Sequence, residues 1–490
     1  DITCRDWSSD VCSSDLINVI LITQASSEQS ICIAVDQKDG ERACEAIDTV
    51  FETEIEAGRV MPAIREEGFA IVALIGEGMK HSVGICGQAF AALGRNGVNI
   101  HAIAQGSSEL NISVVVKAAD APKAVSAIHQ EFFLSVKRVI NIFVIGTGNV
   151  GSALVKQIMN RSEWFAGEYQ TEFRIVGLAN SRKMLVRKEG ISGPDWKSLM
   201  MESEQNSNPR SFIGHMISLN LPNTIFVDNT PSDEVSSLYE GVLERSISIV
   251  TSNKLAASSS FENYSRLKRT AIRKRVHFGF GSNVGAGLPV IHTIANMVRT
   301  GDRIMRIDAV LSGSVNYIFN NYSNGKRFSE SVLQAVENGF TEPDPLTDLR
   351  GEDIIRKLLI LIRESGFHLE ASEITFENYL PVPLPEKYEP GLFLLQMREF
   401  DDYFEKQRDD LSCQNKRIRI IACYEEGKAS IRPERIGPDH PFYYLEGNDN
   451  IVSVFSERYS QQPLIIKGAG AGADVTAAGI FADILSIVNT

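Results

Sequence analysis

No stretch of the chain stays apolar for the roughly 20 residues that a membrane-spanning helix needs, so it is not read as a membrane protein. Positive charge is in deficit. The 49 Lys and Arg stand against 62 Asp and Glu, a net charge of −13, which excludes the basic footprint of a nucleic-acid or anionic-membrane binder. Cysteine is sparse, seven in 490 residues, with neither metal-ligand spacing nor the paired framework of a secreted domain. The reading is reduced thiols in a cytoplasmic enzyme. The N-terminus lacks the apolar core of a signal peptide. What is present, 43% hydrophobic and 23% charged residues, is the balance of a globular protein with length for two to four domains.

Residues 6–16 read DWSSDVCSSDL, without hydrophobic period, and resemble a sequencing-adapter read translated in frame. Residues 1–16 are therefore set aside as non-native, and the chain is read as a fragment of a protein that begins further upstream.

Residues 17–35 (INVILITQASSEQSICIAV) and 98–116 (VNIHAIAQGSSELNISVVV) match at one constant offset, including Gln24 with Gln105 and a shared S-S-E. Such self-similarity signals duplicated modules. Each copy reads as strand, polar turn and strand, followed by a helical stretch at 41–54 or 121–132. A strand at 69–75, a Gly-rich turn at 76–78 and an amphipathic helix at 83–93 precede the second copy. That order, βαββα, is a ferredoxin-like unit; the first copy lacks its opening strand and helix. The pattern resembles the paired ACT domains of aspartokinases. The resemblance implies that Gln24 and Gln105 contact an effector amino acid, threonine, since an amide both donates and accepts hydrogen bonds. The plainer reading is that both glutamines close tight turns.

The run VINIFVI at 139–145 reads as a strand buried on both faces. Gly146, Thr147, Gly148, Asn149, Val150 and Gly151 follow, then a helical stretch at 152–159. This is G-x-G-x-x-G between a strand and a helix, where glycines admit a pyrophosphate and a helix N-terminus attracts it. A second strand is expected at 173–178. Beyond it stand Asn180, Arg182 and Lys183 rather than the Asp or Glu that binds a ribose 2′-hydroxyl, which leans toward NADP with NAD as the alternative. Strands at 224–227 and 247–250 lead into Asp228-Asn229-Thr230-Pro231 and Thr251-Ser252-Asn253-Lys254, polar clusters at strand ends where open α/β sheets bind ligands.

A helix expected at 351–363 is apolar around most of its girth, yet carries Asp353 and Lys357 four apart on one face. A charged face on an enclosed helix must be paired or face a polar cleft. With GTGNVG, SNKLA (252–256), GSNVGAGLPVI (281–291), LSGSVNYIF (311–319), TEPDPLTDLRGEDIIRKL (341–358) and GAGAGADVTAAG (468–479), the chain resembles homoserine dehydrogenase. With the ACT repeat in front, it resembles the C-terminal part of a bifunctional aspartokinase–homoserine dehydrogenase.

The resemblance implies NAD(P)H-dependent interconversion of aspartate 4-semialdehyde and homoserine, with threonine feedback. Lys357 would donate the proton, with Lys254 as a second cation. Glu342 and Asp353 would bind the substrate ammonium or orient the lysines. Gly313, Ser314 and Tyr317 would line the substrate pocket, with Asp348 as a further contact. Thr230 would join the cofactor site. A monovalent cation, usually sodium, would take backbone carbonyls of Val284, Ala286 and Leu288; position 281, acidic in many relatives, is Gly281 here. Gly470 and Gly472 would approach the cofactor, or else pack a helix start. The expected fold class is α/β. A Rossmann nucleotide-binding domain (137–285, completed by 465–490) and an α/β substrate and dimerisation domain (286–464) follow a truncated ACT region (17–136). The expected assembly is a homo-oligomer, dimer or tetramer.

No Lys-Phe-Gly-Gly opening of a kinase lobe is present, so aspartate phosphorylation is not expected of this chain. A hydroxy-acid or prephenate dehydrogenase would need a catalytic histidine, and all eight fall outside the motif clusters at strand ends except His277, just before Phe278. The remaining alternative is a threonine-sensing remnant without catalysis.

Overall fold

The computed structural model describes residues 17–490 except 25–29, 81, 107–109, 133–137, 324, 342–343, 383–388 and 489–490. The set-aside segment and Glu342 thus lie outside the described residues. The chain divides into two compact units, residues 1–137 and 138–490.

In the first unit, β1 (Val19–Gln24) and β2 (Ile31–Val35) pair antiparallel and are followed by a helix, Gly40–Val50. The helix expected at 41–54 ends early, and Phe51 separates it from a short second helix, Glu52–Glu56. Strands β3 (Phe69–Ile75), β4 (Ala102–Gln105) and β5 (Asn111–Lys117) form an antiparallel sheet in the order β3-β5-β4. β5 alternates exposed and buried residues, the period of a strand with one face on a core. Ile112, Val114 and Val116 pack with Leu93 and Ile128 from helices Ile85–Arg95 and Ala121–Phe132, completing βαββα. The first of these starts at Ile85 rather than 83, because Gly84 caps it at φ +93°. The two copies adjoin through Thr23 Oγ1, which donates to the Ile103 carbonyl at 3.0 Å.

The second unit opens with β6 (Arg138–Ile145), β7 (Thr171–Ala179), β8 (Met184–Val186), β9 (Thr224–Asp228), β10 (Ser248–Thr251) and β11 (Phe278–Gly279). They form one sheet in the order β11-β10-β9-β6-β7-β8, parallel except for β8. The chain winds outward from β6 in both directions, so the crevice between β6 and β9 is a switch point where ligands bind. Both faces of β6 are covered. Ile142 and Val144 meet Leu154 and Ile158 of the helix Asn149–Glu168, while Phe143 and Ile145 meet Phe212 and Tyr239. That helix starts before and ends well beyond the expected 152–159.

The remaining strands, β12 (Ile304–Val310), β13 (Ile374–Phe376), β14 (Arg417–Glu425), β15 (Lys428–Ile436), β16 (Asp449–Ser456) and β17 (Leu464–Ala469), make a second, largely antiparallel sheet. Its order is β13-β15-β14-β12-β16-β17. One face packs on helices Val290–Arg299, Gly313–Ser323 and Glu352–Glu364 in the largest core. The return to the nucleotide domain begins later than the expected residue 465, because β17 still pairs with β16. The helix Ala473–Val488 then crosses back, burying Ile480 and Ile484 among Ile142, Leu154 and Phe173. No helix among the described residues is long and apolar enough to cross a membrane.

Candidate active site

Two of the three glycines in the turn, Gly146 and Gly151, are required by close backbone contacts. Gly146 lies at φ +91°, and a Cβ there would stand 2.6 Å from the Asn229 carbonyl carbon. A Cβ on Gly151 would stand 2.1 Å from the Gly146 oxygen, so the helix can leave the strand this closely only without a side chain. The turn delivers Thr147 and Val150 to the N-terminus of a 20-residue helix that starts at Asn149, with Gly148 as its cap. Beside it the Asn229 amide Nδ2, 3.5 Å from where a Gly151 Cβ would be, is buried without a hydrogen-bond partner among the described residues. The open space at Gly148, the helix N-terminus behind it and the orphaned Asn229 donor fit a pyrophosphate.

Asn180 turns its side chain inward. Its Oδ1 accepts the N–H groups of Arg182 and Lys183 at 2.7 and 2.8 Å and shapes the loop after β7. Arg182 is exposed there. At the end of β9, Thr230 donates its N–H to Asp228 Oδ1 at 2.7 Å. Asp228 also receives the Tyr239 hydroxyl at 2.6 Å and the Asn253 amide at 3.0 Å on Oδ2. Burial pushes the Asp228 carboxyl up, and these hydrogen bonds oppose that rise. Asn253 Oδ1 accepts the Leu255 N–H at 3.0 Å. A buried network thereby fixes the two residues flanking Lys254. Tyr239 carries no motif signal and was not singled out from the sequence.

The charged residues meet where the two halves of this unit join. Lys254 comes from the loop after β10, and Asp353 and Lys357 from the first two turns of the helix Glu352–Glu364. Asp353 Oδ2 lies 2.7 Å from Lys357 Nζ, and Oδ1 lies 3.3 Å from Lys254 Nζ. Burial alone would raise the Asp353 carboxyl, but the two ammoniums hold it far below the ordinary carboxylate range. Lys357 is 8% exposed and also donates to the Leu311 carbonyl at 2.8 Å. The same carbonyl accepts the Asn450 amide at 3.1 Å. Asn450 was missed in the sequence, although it explains Gly470: a Cβ there would fall 2.0 Å from the Asn450 side chain. Gly472 lies at φ +135° just before the last helix.

Next to Leu311, Ser312 Oγ and Ser314 Oγ are 2.9 Å apart, and Ser314 donates to Asp348 Oδ1 at 2.6 Å. Gly313 is buried, with a Cβ position 2.9 Å from the Asn448 carbonyl. Tyr317 stands edge-on to Phe340 and accepts from Asn338 at 3.1 Å. Tyr379, another residue without sequence signal, is buried beside Asp348, which together with burial keeps its phenol protonated.

Asp483, from the last helix, reaches position 281, where it accepts the Gly281 N–H at 2.8 Å and pairs with His292 Nε2 at 2.6 Å. This hydrogen bond raises the His292 pKa against the opposing effect of burial. His292 is expected to titrate above the usual value of about 6.5 and to return toward it in Asp483→Asn, as read from imidazole resonances. Stability linked to the pair is then present below the unfolded value and lost as pH rises through the raised folded value. An unchanged His292 titration in Asp483→Asn would dismiss the pairing.

In the first unit, Gln24 and Gln105 end β1 and β4, both exposed, and Gln105 Oε1 accepts from Cys86 Sγ at 3.2 Å. The S-S-E parts of their turns lie outside the described residues.

Three family models match the chain. An ACT domain matches residues 10–51 and 72–132, the homoserine dehydrogenase NAD-binding domain matches 146–280, and homoserine dehydrogenase matches 289–485. The bifunctional aspartokinase/homoserine dehydrogenase 1 (chloroplastic) of Arabidopsis thaliana is 37% identical over 473 residues, 96% of this chain and 52% of its own. The chain thus spans about half the length of the curated bifunctional relatives it matches. Homoserine dehydrogenase of Schizosaccharomyces pombe is 34% identical over 360 residues, 71% of this chain and 96% of its own. A hyperthermophilic archaeal homoserine dehydrogenase, solved in complex with NADPH, is similar with a TM-score of 0.56 at 25% identity, over 72% of this chain and 98% of its own. These matches fall on a nicotinamide-dinucleotide fold, with two lysines and a carboxylate gathered beside its switch point and an ACT region ahead of it, and this chain belongs to the homoserine dehydrogenase family.

Proposed function

We propose that this chain reduces L-aspartate 4-semialdehyde to L-homoserine with NADPH, reversibly, and that threonine binding at the ACT region regulates it. The observation that carries the reading is the Lys254–Asp353–Lys357 cluster at the carboxyl ends of the nucleotide-binding strands. The bound cofactor supplies the hydride. The protein must stabilise the alkoxide that forms and protonate it. An ammonium has three donors. Among the described residues Asp353 and Leu311 take two from Lys357, and the third is the proton that this reading assigns to the aldehyde oxygen. Lys254 places a second positive charge on the same carboxylate and polarises the carbonyl. Asp353 keeps both lysines oriented, since its own proton is lost at any physiological pH. Ser314, Asp348, Gly313 and Tyr317 surround the substrate, and Glu342 joins them for its ammonium.

Gly146 to Gly151, Thr230 and the helix N-terminus would hold the dinucleotide, with Gly470 and Gly472 close by. The exposed Arg182 and the half-buried Lys183, in a loop shaped by Asn180, would accept a 2′-phosphate, which favours NADP. A monovalent cation would be held by the backbone carbonyls of Val284, Ala286 and Leu288. The Leu288 carbonyl already accepts the Val290 N–H at 2.8 Å, and the carboxylate reaching Gly281 is committed to His292. No step is assigned to a cation.

Gln24 and Gln105, exposed at adjoining copies, are the proposed threonine contacts. The assembly is taken to be a homo-oligomer, and the unpaired thiols of Cys32, Cys44, Cys86, Cys413 and Cys423 suit a reducing compartment such as the cytoplasm. Aspartokinase activity is named for the bifunctional relatives and is not proposed for this chain.

Oxidation of NADPH and NADH with aspartate 4-semialdehyde tests the whole. NADPH should be preferred by about tenfold or more, roughly one charge-assisted contact, and Arg182→Ala should erase most of that preference. Threonine should slow turnover in the same assay, and less so in Gln105→Ala. A folded chain with no aldehyde-dependent oxidation would refute the reading.

A further inference from the structure

The helix Glu352–Glu364 presents Asp353 and Lys357 near its start, and its last two residues grip another part of the molecule. The Arg363 side chain is 0% exposed. Its Nη1 donates to the Ala257 carbonyl at 3.0 Å and the Ser259 carbonyl at 2.6 Å. Nε and Nη2 donate to the Leu369 carbonyl, and Nη2 also to Glu370 Oε2 at 3.0 Å. The rings of Phe261 and Tyr264 lie 5.7 and 5.4 Å from the guanidinium. Glu364 accepts the Tyr264 hydroxyl and holds Lys268 Nζ at 2.8 Å. Burial, reinforced by the Glu364 charge, keeps that phenol protonated and therefore a donor.

Ala257 and Ser259 sit in the turn that Lys254 opens. The Lys254 carbonyl accepts both the N–H and the hydroxyl of Ser258, each at 2.9 Å. The Arg363 fork therefore fixes the carbonyls of the turn that carries Lys254. A fully buried guanidinium is costly to desolvate, and an apolar side chain could hold two packed elements together without that cost. What the guanidinium adds is direction, because its planar donors constrain the angle as well as the distance of their acceptors.

We propose that Arg363 and Glu364 are positioning residues that set where Lys254 Nζ stands relative to Asp353 and Lys357. They do so by tying the 254–259 turn and the helix Phe261–Lys274 of the nucleotide-binding half to the far end of the helix that bears the other two charges. Asp353 and Lys357 share one helix and hold their 2.7 Å spacing locally, whereas Lys254 arrives from another domain at 3.3 Å and needs an external reference. The Asp228–Tyr239–Asn253 network secures the turn from one side, and Arg363 secures it from the other. The proposal rests on the role given above to Lys254.

A double-mutant cycle tests it, with Arg363→Met, Lys254→Ala and the double variant compared for kcat, KM, NADPH Kd and Tm. Arg363→Met should lower kcat about 10- to 100-fold with NADPH Kd within about twofold, as a displacement near 1 Å would. In the Lys254→Ala background the same change should cost less than about threefold, because the residue being positioned is gone. Arg363→Lys, which keeps the charge and loses the fork, should stay impaired if it folds better than the Met variant. Equal losses in both backgrounds would overturn the proposal, leaving Arg363 a general packing residue. A second readout does not depend on turnover. The rate at which an amine-acylating reagent modifies Lys254, followed by peptide mass spectrometry, should change by about threefold or more in Arg363→Lys and Glu364→Gln relative to exposed lysines. An unchanged rate in both would also overturn it. If the parent chain failed to reduce the aldehyde, the function would fall, while the labelling result would still judge the positioning.

Discussion

Lys357→Ala lowers kcat for aldehyde reduction by about 10²- to 10⁴-fold, the range for loss of a proton donor that also faces a developing oxyanion, and leaves NADPH affinity nearly unchanged. The separation follows from the geometry. Lys357 contacts Asp353 and Leu311 in the substrate half and makes no contact with the glycine turn among those described. The substitution also strips Asp353 of its closer partner. Removing one member of a buried pair costs about 3–5 kcal/mol when the other is stranded, and Lys254 at 3.3 Å keeps the loss toward the lower end. A melting curve reads this directly. Because the Asp353 carboxyl is held below its unfolded value, its pairing contributes stability above a pH of about 4, and that contribution fades only as pH falls below it. The Lys357→Ala deficit should therefore persist through the neutral range and shrink in acid. A variant within about tenfold of the parent in kcat would remove Lys357 as the donor and shift attention to Lys254.

Gly151→Val abolishes useful cofactor binding, with a loss in NADPH affinity of about 100-fold or more, equivalent to at least 2.7 kcal/mol. Its Cβ would sit 2.1 Å from the Gly146 oxygen and 3.0 Å from the Gly146 carbonyl carbon, inside the contact limit of backbone atoms that cannot swing aside. The helix Asn149–Glu168 must retreat from β6, and its N–H groups leave the position in which they face a pyrophosphate. The retreat also loosens Leu154 and Ile158 from Ile142 and Val144, so Tm falls with affinity. Fluorescence titration with NADPH and circular dichroism separate the two effects. Parent-like affinity in a folded Gly151→Val would mean that the dinucleotide does not use this turn.

Some of this site is visible in one dimension, and the physical reason is local. β6 announces itself because a strand buried on both faces is filled with apolar side chains, here with Asn141 as the buried exception. The glycine turn is legible because backbone sterics allow few residues in it. Asp353 and Lys357 can be paired on paper because a helix brings residues four apart onto one face. The ends of elements were less legible. Phe51 interrupts the helix expected at 41–54, and β17 holds residues expected to have already left for the nucleotide domain.

The partners of those residues are decided elsewhere in the chain. Tyr264 and Glu364 are 100 positions apart, Asn450 and Leu311 are 139 apart, and Gly281 and Asp483 are 202 apart. No local period couples such pairs, since nothing constrains them until two sheets and the returning helix have packed. Patterns of adjacent residues by themselves determined the family, the doubly wound nucleotide domain behind an ACT repeat, and the types of residue available for chemistry. Only the tertiary structure decided that Lys254 reaches Asp353, that Asp228 and Tyr239 brace its loop, and that Arg363 holds the other side. Backbone conformation and amphipathic period are written in neighbouring residues, whereas the position of a charge in a cleft depends on how distant surfaces close over it.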